Sequence, residues 1–112
     1  MFIKPMPKQL LIHSVKYEKY LGEDDWSGGE NYGDPVTIDL VRVQWSTDLN
    51  RNNNATDVFY QAMMFYDMTH SKPKNIEWVE NSKITIDGQT MYIKEVHPIY
   101  TTKLHHYELM LT

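Results

Sequence analysis

Between Ile84-Thr85-Ile86 and Met91-Tyr92-Ile93 stands the dipeptide Asp87-Gly88. Two apolar runs joined by Asp-Gly give the strongest short-range signal for a β-hairpin. The tight turn needs positive φ at both central residues, and Gly meets that need without steric cost. The rest of the chain has the same character. Runs rich in Val, Ile, Thr, Tyr and Trp recur between turn signals, and helical periodicity is weak throughout.

The first run is Leu10 to Tyr20, where Leu11, Val15 and Tyr17 fall on one face at period two. A second extends from Val36 to about Ser46. Val36, Ile38 and Leu40 alternate there, and then Val41, Val43 and Trp45 alternate on the other parity. A one-residue shift of that kind predicts a β-bulge, a device that helps small sheets curl. The third run, Asp57 to Met68, is apolar at Val58, Tyr60, Ala62, Met64, Tyr66 and Met68. Its other face carries Phe59, Met63 and Phe65, which predicts a strand covered on both sides. A helix over residues 61–68 is the competing reading of that stretch. His97-Pro98 is expected to end the second hairpin strand or to break its edge, because Pro cannot donate to a ladder. The last strand, Leu104 to Leu111, sets Tyr107, Leu109 and Leu111 on one face. These runs predict an all-β chain: a small antiparallel β-barrel or sandwich of about six strands. Two polar segments are expected as long loops: glycine-rich Gly22–Pro35 and asparagine-rich Thr47–Thr56.

A chain of 112 residues is expected to form a single domain spanning 1–112. With no cysteine it has neither a disulfide framework nor a thiolate metal site. No apolar run approaches the roughly 18 residues of a membrane helix, and no signal-peptide core is visible, so a soluble protein used without secretion is expected. The charge is unevenly placed. Residues 21–35 hold Glu23, Asp24, Asp25, Glu30 and Asp34 with no Lys or Arg, against a net charge of −4 for the chain. The remainder is therefore nearly neutral. Its basic residues are scattered and form no stripe of the kind a dedicated nucleic-acid binder shows.

Candidate chemistry is sparse. His105-His106 with Glu108 is the most metal-like cluster, and in a strand His106 and Glu108 share a face while His105 points away. Zinc needs three or four converging ligands. His13, His70 and His97 could join only if the fold gathered them, and no HExxH spacing is present. No metal and no cofactor are expected. His13 and Ser14 are adjacent on a strand and face opposite ways, so they cannot act as base and nucleophile together. Asp24-Asp25 reads as a solvated pair, and Gly28-Gly29 sits among acids that would repel a phosphate. Tyr17, Tyr20, Trp26 and Tyr32 suggest a sugar-stacking platform, although aromatic residues in β-proteins mostly serve cores or interfaces. No catalytic residue emerges, and the chain is not expected to be an enzyme.

Taken in order, KPMPKQLLIHSVKY, YLGEDDW, DPVTIDLVRV, KITIDGQTMYIKEVHPIY and KLHHYELML cover most of the chain. This ordered set resembles the minor capsid proteins of siphovirus-type phages and prophages, within the head-completion, or stopper, group of head–tail connectors. The resemblance implies a small β-barrel with a long loop and no catalytic residues. It also implies a homo-oligomeric ring beneath the portal and adaptor rings that retains packaged double-stranded DNA and offers the surface the tail joins. The expected location is the virion's head–tail junction, after assembly in the bacterial cytoplasm, with no membrane partner and no sequence-specific DNA contact. Glu23, Asp24, Asp25, Trp26, Glu30 and Asp34 then become the candidate channel or gating loop. A negative loop would not adhere to DNA phosphates. The other readings are an adaptor or tail-terminator ring of the same connector, an OB-like barrel for single-stranded nucleic acid, and a carbohydrate-binding sandwich.

Overall fold

A computed structural model describes residues 4–23, 29–45 and 60–112. Its strands are β1 (His13–Glu18), β2 (Tyr20–Glu23), β3 (Glu30–Tyr32), β4 (Val36–Trp45), β5 (Ala62–Asp67), β6 (Lys83–Ile86), β7 (Gln89–Tyr100) and β8 (Leu104–Leu111). Six of them close an antiparallel barrel in the order β1-β4-β5-β8-β7-β6, with β6 pairing back to β1. The expected fold class holds, in its closed form. β2 and β3 form a separate two-stranded ribbon. Among the described residues the only helical element is a 3-10 turn over Lys8–Leu10.

The barrel is built where period two is cleanest. Val15 and Tyr17, Ile38, Val41 and Val43, Ala62, Met64 and Tyr66, Ile84 and Ile86, Met91 and Ile93, and Leu109 and Leu111 all point inward and are buried. The β6–β7 turn has φ 50° at Asp87 and 79° at Gly88, the doubly positive pair that a two-residue hairpin requires. The parity change in β4 is a bulge. His13 pairs with Val41 and Val15 with Ile38, so two steps along β1 face three along β4. The extra residue brings Leu40 to φ 58°, a conformation costing a branched residue of this kind about 1–3 kcal/mol. Neighbouring backbone holds it there. Asp39 and Lys72 exchange N–H···O bonds of 2.7 and 3.1 Å, and the Ser71 hydroxyl donates to the Leu40 carbonyl.

The segment between β5 and β6 closes one end of the interior. Trp78 lies 4.7 Å from Tyr17, 5.3 Å from Tyr66 and 6.5 Å from Tyr107, ring centre to ring centre. The Tyr17 hydroxyl donates to the Glu77 carbonyl at 2.7 Å and accepts from the Val79 amide at 3.1 Å. Tilted aromatic pairs of this kind add about 0.5–1.5 kcal/mol each beyond the area they bury.

Several expectations need correction. The stretch 61–68 is strand and not helix, yet its second side is only half covered: Met63 and Phe65 remain partly accessible on the outer face. β7 does not end at His97-Pro98. It pairs with β8 as far as Tyr100, Pro98 standing opposite Tyr107. Beyond Tyr92 the ladder with β6 has ended, so among the described residues β7 has a partner strand on one side only at Pro98, and a missing N–H is tolerated there. Part of the segment expected as loop is strand, namely β2 and β3. Val58, Phe59 and the whole of Thr47–Thr56 lie outside the described residues.

Candidate functional site

The acidic segment leaves the barrel directly after β1 and returns at β4, so both of its ends are anchored on one patch of wall. The Gly33 amide donates to the Lys19 carbonyl at 2.8 Å, tying the two ends together. The Tyr20 amide donates at 2.8 Å to the hydroxyl of Ser82, a fully buried residue just before β6. Tyr20 and Tyr32 are paired across the ribbon, their rings 5.7 Å apart, and the Lys83 ammonium sits 4.3 Å above the Tyr32 ring. An exposed cation–π contact contributes about 0.5–1 kcal/mol. Lys19 forms an ion pair with Glu77 of the closing segment.

Above this root the ribbon turns negative. Tyr20 pairs with Tyr32 but Gly22 pairs with Asn31, so β2 carries an extra residue, and Gly22 takes φ 101°, which a side chain would strain. The next pair is Glu23 with Glu30. Like charges directly opposite each other on a strand pair oppose pairing, and no basic side chain intervenes in residues 21–35. The Tyr32 hydroxyl donates to the Glu30 carboxylate at 2.8 Å. Burial first, and then that bond and the Glu30 charge, push the Tyr32 phenol up to about 12. Burial, with the charges of Glu30 and Glu23, also raises Tyr20.

A neutral Tyr32 is thus the form the folded ribbon prefers. This contribution is complete below the ordinary tyrosine range and is lost as pH rises from about 10 through 12. Followed by aromatic NMR, Tyr32 is expected to titrate near 12, and Glu30→Gln to bring it down toward 10.0. An unchanged Tyr32 titration in that variant would show that burial alone sets the value.

Of the expected site residues, Glu23 and Glu30 meet as cross-strand partners, and Asp34 is exposed between β3 and β4. Asp24, Asp25 and Trp26 lie outside the described residues. Ser82 and Lys83, which hold the ribbon to the wall, were not legible in the sequence. They are about 50 residues from Tyr32 and carry no local motif. The one available signal was the pair of tyrosines bracketing the glycine-rich stretch.

The remaining constellations serve structure. The His13 Nδ1 accepts from the Val43 amide at 3.0 Å, while Ser14 donates to Asp39 at 2.7 Å, so the two face different partners. Tyr17 is buried against Trp78 and cannot join a stacking platform. His106 does reach Glu108, at 3.0 Å, but His105 does not stand apart: its Nδ1 comes within 2.8 Å of the His106 Nδ1. No group of three metal-ligating side chains converges among the described residues.

A family model described as minor capsid protein matches residues 7–111. No curated protein and no solved structure matches the chain.

Proposed function

We propose, on the premise that the chain belongs to the minor capsid protein family, that it is the subunit closing the portal end of a DNA-filled phage head. Membership brings a structural role in a phage particle and a place in the virion. The finer role rests on one observation: an anionic ribbon projects from a closed, nearly neutral barrel, and its root is fastened at Lys19–Gly33, Ser82 and Lys83. In a homo-oligomeric ring such ribbons would converge near the axis. There they would obstruct DNA by bulk while their charge kept phosphates from adhering. Glu23, Asp24, Asp25, Trp26, Glu30 and Asp34 are the proposed gate. The ring would contact the portal or adaptor above and tail proteins below, at the head–tail junction, having assembled in the host cytoplasm.

Other positions in the connector predict different failures. Particles made without this chain are expected to package DNA, lose it on purification and remain tail-less. Added purified subunit should restore both retention and tail joining. Heads that keep their DNA but carry tails of uncontrolled length would assign the chain to a terminator ring instead. Heads that never engage any connector component would assign it to the adaptor.

The single-stranded nucleic-acid reading is less well supported. Tyr17, Tyr66, Tyr107 and Trp78 are spent on one another at the barrel end, whereas base stacking needs aromatic faces beside a positive groove.

A further inference from the structure

The bond that fixes the first residue of the ribbon to the wall does not end at Ser82. The Tyr20 amide donates to the Ser82 hydroxyl at 2.8 Å, and that oxygen lies 3.3 Å from the Tyr17 hydroxyl. The Tyr17 oxygen is in turn 2.7 Å from the Glu77 carbonyl oxygen and 3.1 Å from the Val79 amide nitrogen. Glu77, Val79 and Ser82 all belong to the segment that closes the barrel end. One side chain of β1 therefore meets that segment at three residues.

A single arrangement of hydrogens makes all four contacts. An amide nitrogen donates, a carbonyl oxygen accepts, and a hydroxyl has one hydrogen and two lone pairs. The Glu77 carbonyl must take the Tyr17 hydrogen. The Tyr17 lone pairs are left for the Val79 amide and the Ser82 hydroxyl, so Ser82 donates to Tyr17. The Ser82 oxygen is then free to accept the Tyr20 amide. The chain runs one way, from the Tyr20 N–H through Ser82 and Tyr17 to the Glu77 carbonyl, and each bond polarises the next.

Other holds on the ribbon lead to the same place. Lys19, beside Tyr20, forms an ion pair with Glu77, and its carbonyl accepts the Gly33 amide at the returning end of the ribbon. That ion pair is 41% and 71% exposed at its two side chains, and exposed pairs contribute little. Ser82 is fully buried and Tyr17 is 3% exposed. Water cannot readily replace a member of a buried chain, so this is the stronger of the two links.

We propose that the Tyr17 hydroxyl is the positioning group of the ribbon: acting through Ser82, it joins the ribbon root and the closing segment into one rigid unit. Its consequence for DNA retention rests on the reading of the ribbon as a gate. A gate obstructs only while its base is held. A subunit that keeps its ribbon and acids but lacks this hydroxyl therefore closes poorly.

Tyr17→Phe removes the oxygen and keeps the ring that packs on Trp78. In native amide exchange of the full chain, Val79 should lose protection roughly tenfold, the effect of one lost hydrogen bond. Tyr20, whose amide bonds Ser82 and not Tyr17, should lose protection as well. In Ser82→Ala the Tyr20 amide has already lost its acceptor, so adding Tyr17→Phe should lower Val79 and leave Tyr20 unchanged. A general loss of stability would instead lower Tyr20 in both backgrounds. Tail-less heads carrying Tyr17→Phe should lose several times more DNA than the parent under nuclease challenge. Unchanged Tyr20 protection in Tyr17→Phe overturns the proposal, and so does an effect on Tyr20 that persists in the Ser82→Ala background. Coupled exchange in heads that hold DNA as firmly as the parent would leave the coupling standing and overturn the gate reading.

Discussion

Heads carrying a subunit without its ribbon tip are expected to package DNA, bind the shortened subunit and then leak. The change is defined by the register: Gly22 and Asn31 are paired, so residues 23–30 can be replaced by Asn-Gly, which closes a two-residue hairpin. The barrel should not suffer. Among the described residues, none of the barrel's inward-facing side chains comes from the excised span, and the root contacts of Tyr20, Tyr32, Gly33 and Ser82 all remain. Removing the Glu23–Glu30 pair takes away a repulsion, which should offset the lost pairing to within about 1 kcal/mol. Folding and ring docking should therefore persist while retention fails. The readout is DNA content of purified tail-less heads before and after nuclease challenge. The acids should act differently from the bulk. Converting Glu23, Asp24 and Asp25 to amides should slow release more than it weakens closure, because a less negative ribbon clings to phosphates. If heads with the excised ribbon keep their DNA as firmly as the parent, the gate lies elsewhere, and the acidic segment is better explained as a docking surface for a neighbouring ring.

The sequence disclosed the barrel where local chemistry alone decides conformation. Asp87-Gly88 names its turn, the parity change at Leu40-Val41 names the bulge, and Leu104–Leu111 has the strand bounds found in the structure. It concealed what depends on distant partners. β2 and β3 are four and three residues long and contain or adjoin glycine, so only pairing with each other makes them strands. β7 runs past Pro98 where no strand among the described residues pairs with its other edge, a property of topology and not of the residues. The acidity of the candidate site is compositional and could be read at once. Its attachment through Ser82 and Lys83 could not, because those residues sit at the start of a strand whose neighbour in space is set by barrel closure. Asp67 is the clearest case of all: it is a charged residue in a run that reads as an apolar strand, and it is fully buried.

Replacing Asp67 with alanine is expected to be the most damaging single change in the barrel, costing about 3–5 kcal/mol. Asp67 stands at the end of β5 with both oxygens in use. Oδ2 accepts the Thr69 and His70 amides at 3.0 and 2.9 Å, which fixes the turn after the strand, and Oδ1 accepts the amide of Met6, in the segment before β1, at 3.2 Å. Its own amide donates to the Ser71 hydroxyl at 2.9 Å, and that hydroxyl donates in turn to the carbonyl of strained Leu40. One residue thus joins the segment before β1 and the turn through its carboxylate, and the support of the bulge through its backbone amide. Alanine leaves three backbone donors without their acceptor and loosens the segment that holds Leu40 at positive φ. Total stability for a domain of this length is about 5–15 kcal/mol, so the loss is a large fraction of the whole. The expected drop in Tm is roughly 15 °C or more. Asparagine separates the parts. Its amide oxygen can replace Oδ2 at the turn, but its NH2 then meets the Met6 N–H, donor against donor, so a smaller loss of about 1–3 kcal/mol is expected. Met6→Pro removes that N–H beside two prolines already suited to extended backbone. It should therefore cost little in an Asp67→Asn background and about 1 kcal/mol in the parent. Denaturant unfolding of the four proteins gives the cycle. An Asp67→Ala protein within about 1 kcal/mol of the parent would mean that water satisfies the turn unaided and that the segment before β1, the turn and the bulge stand independently.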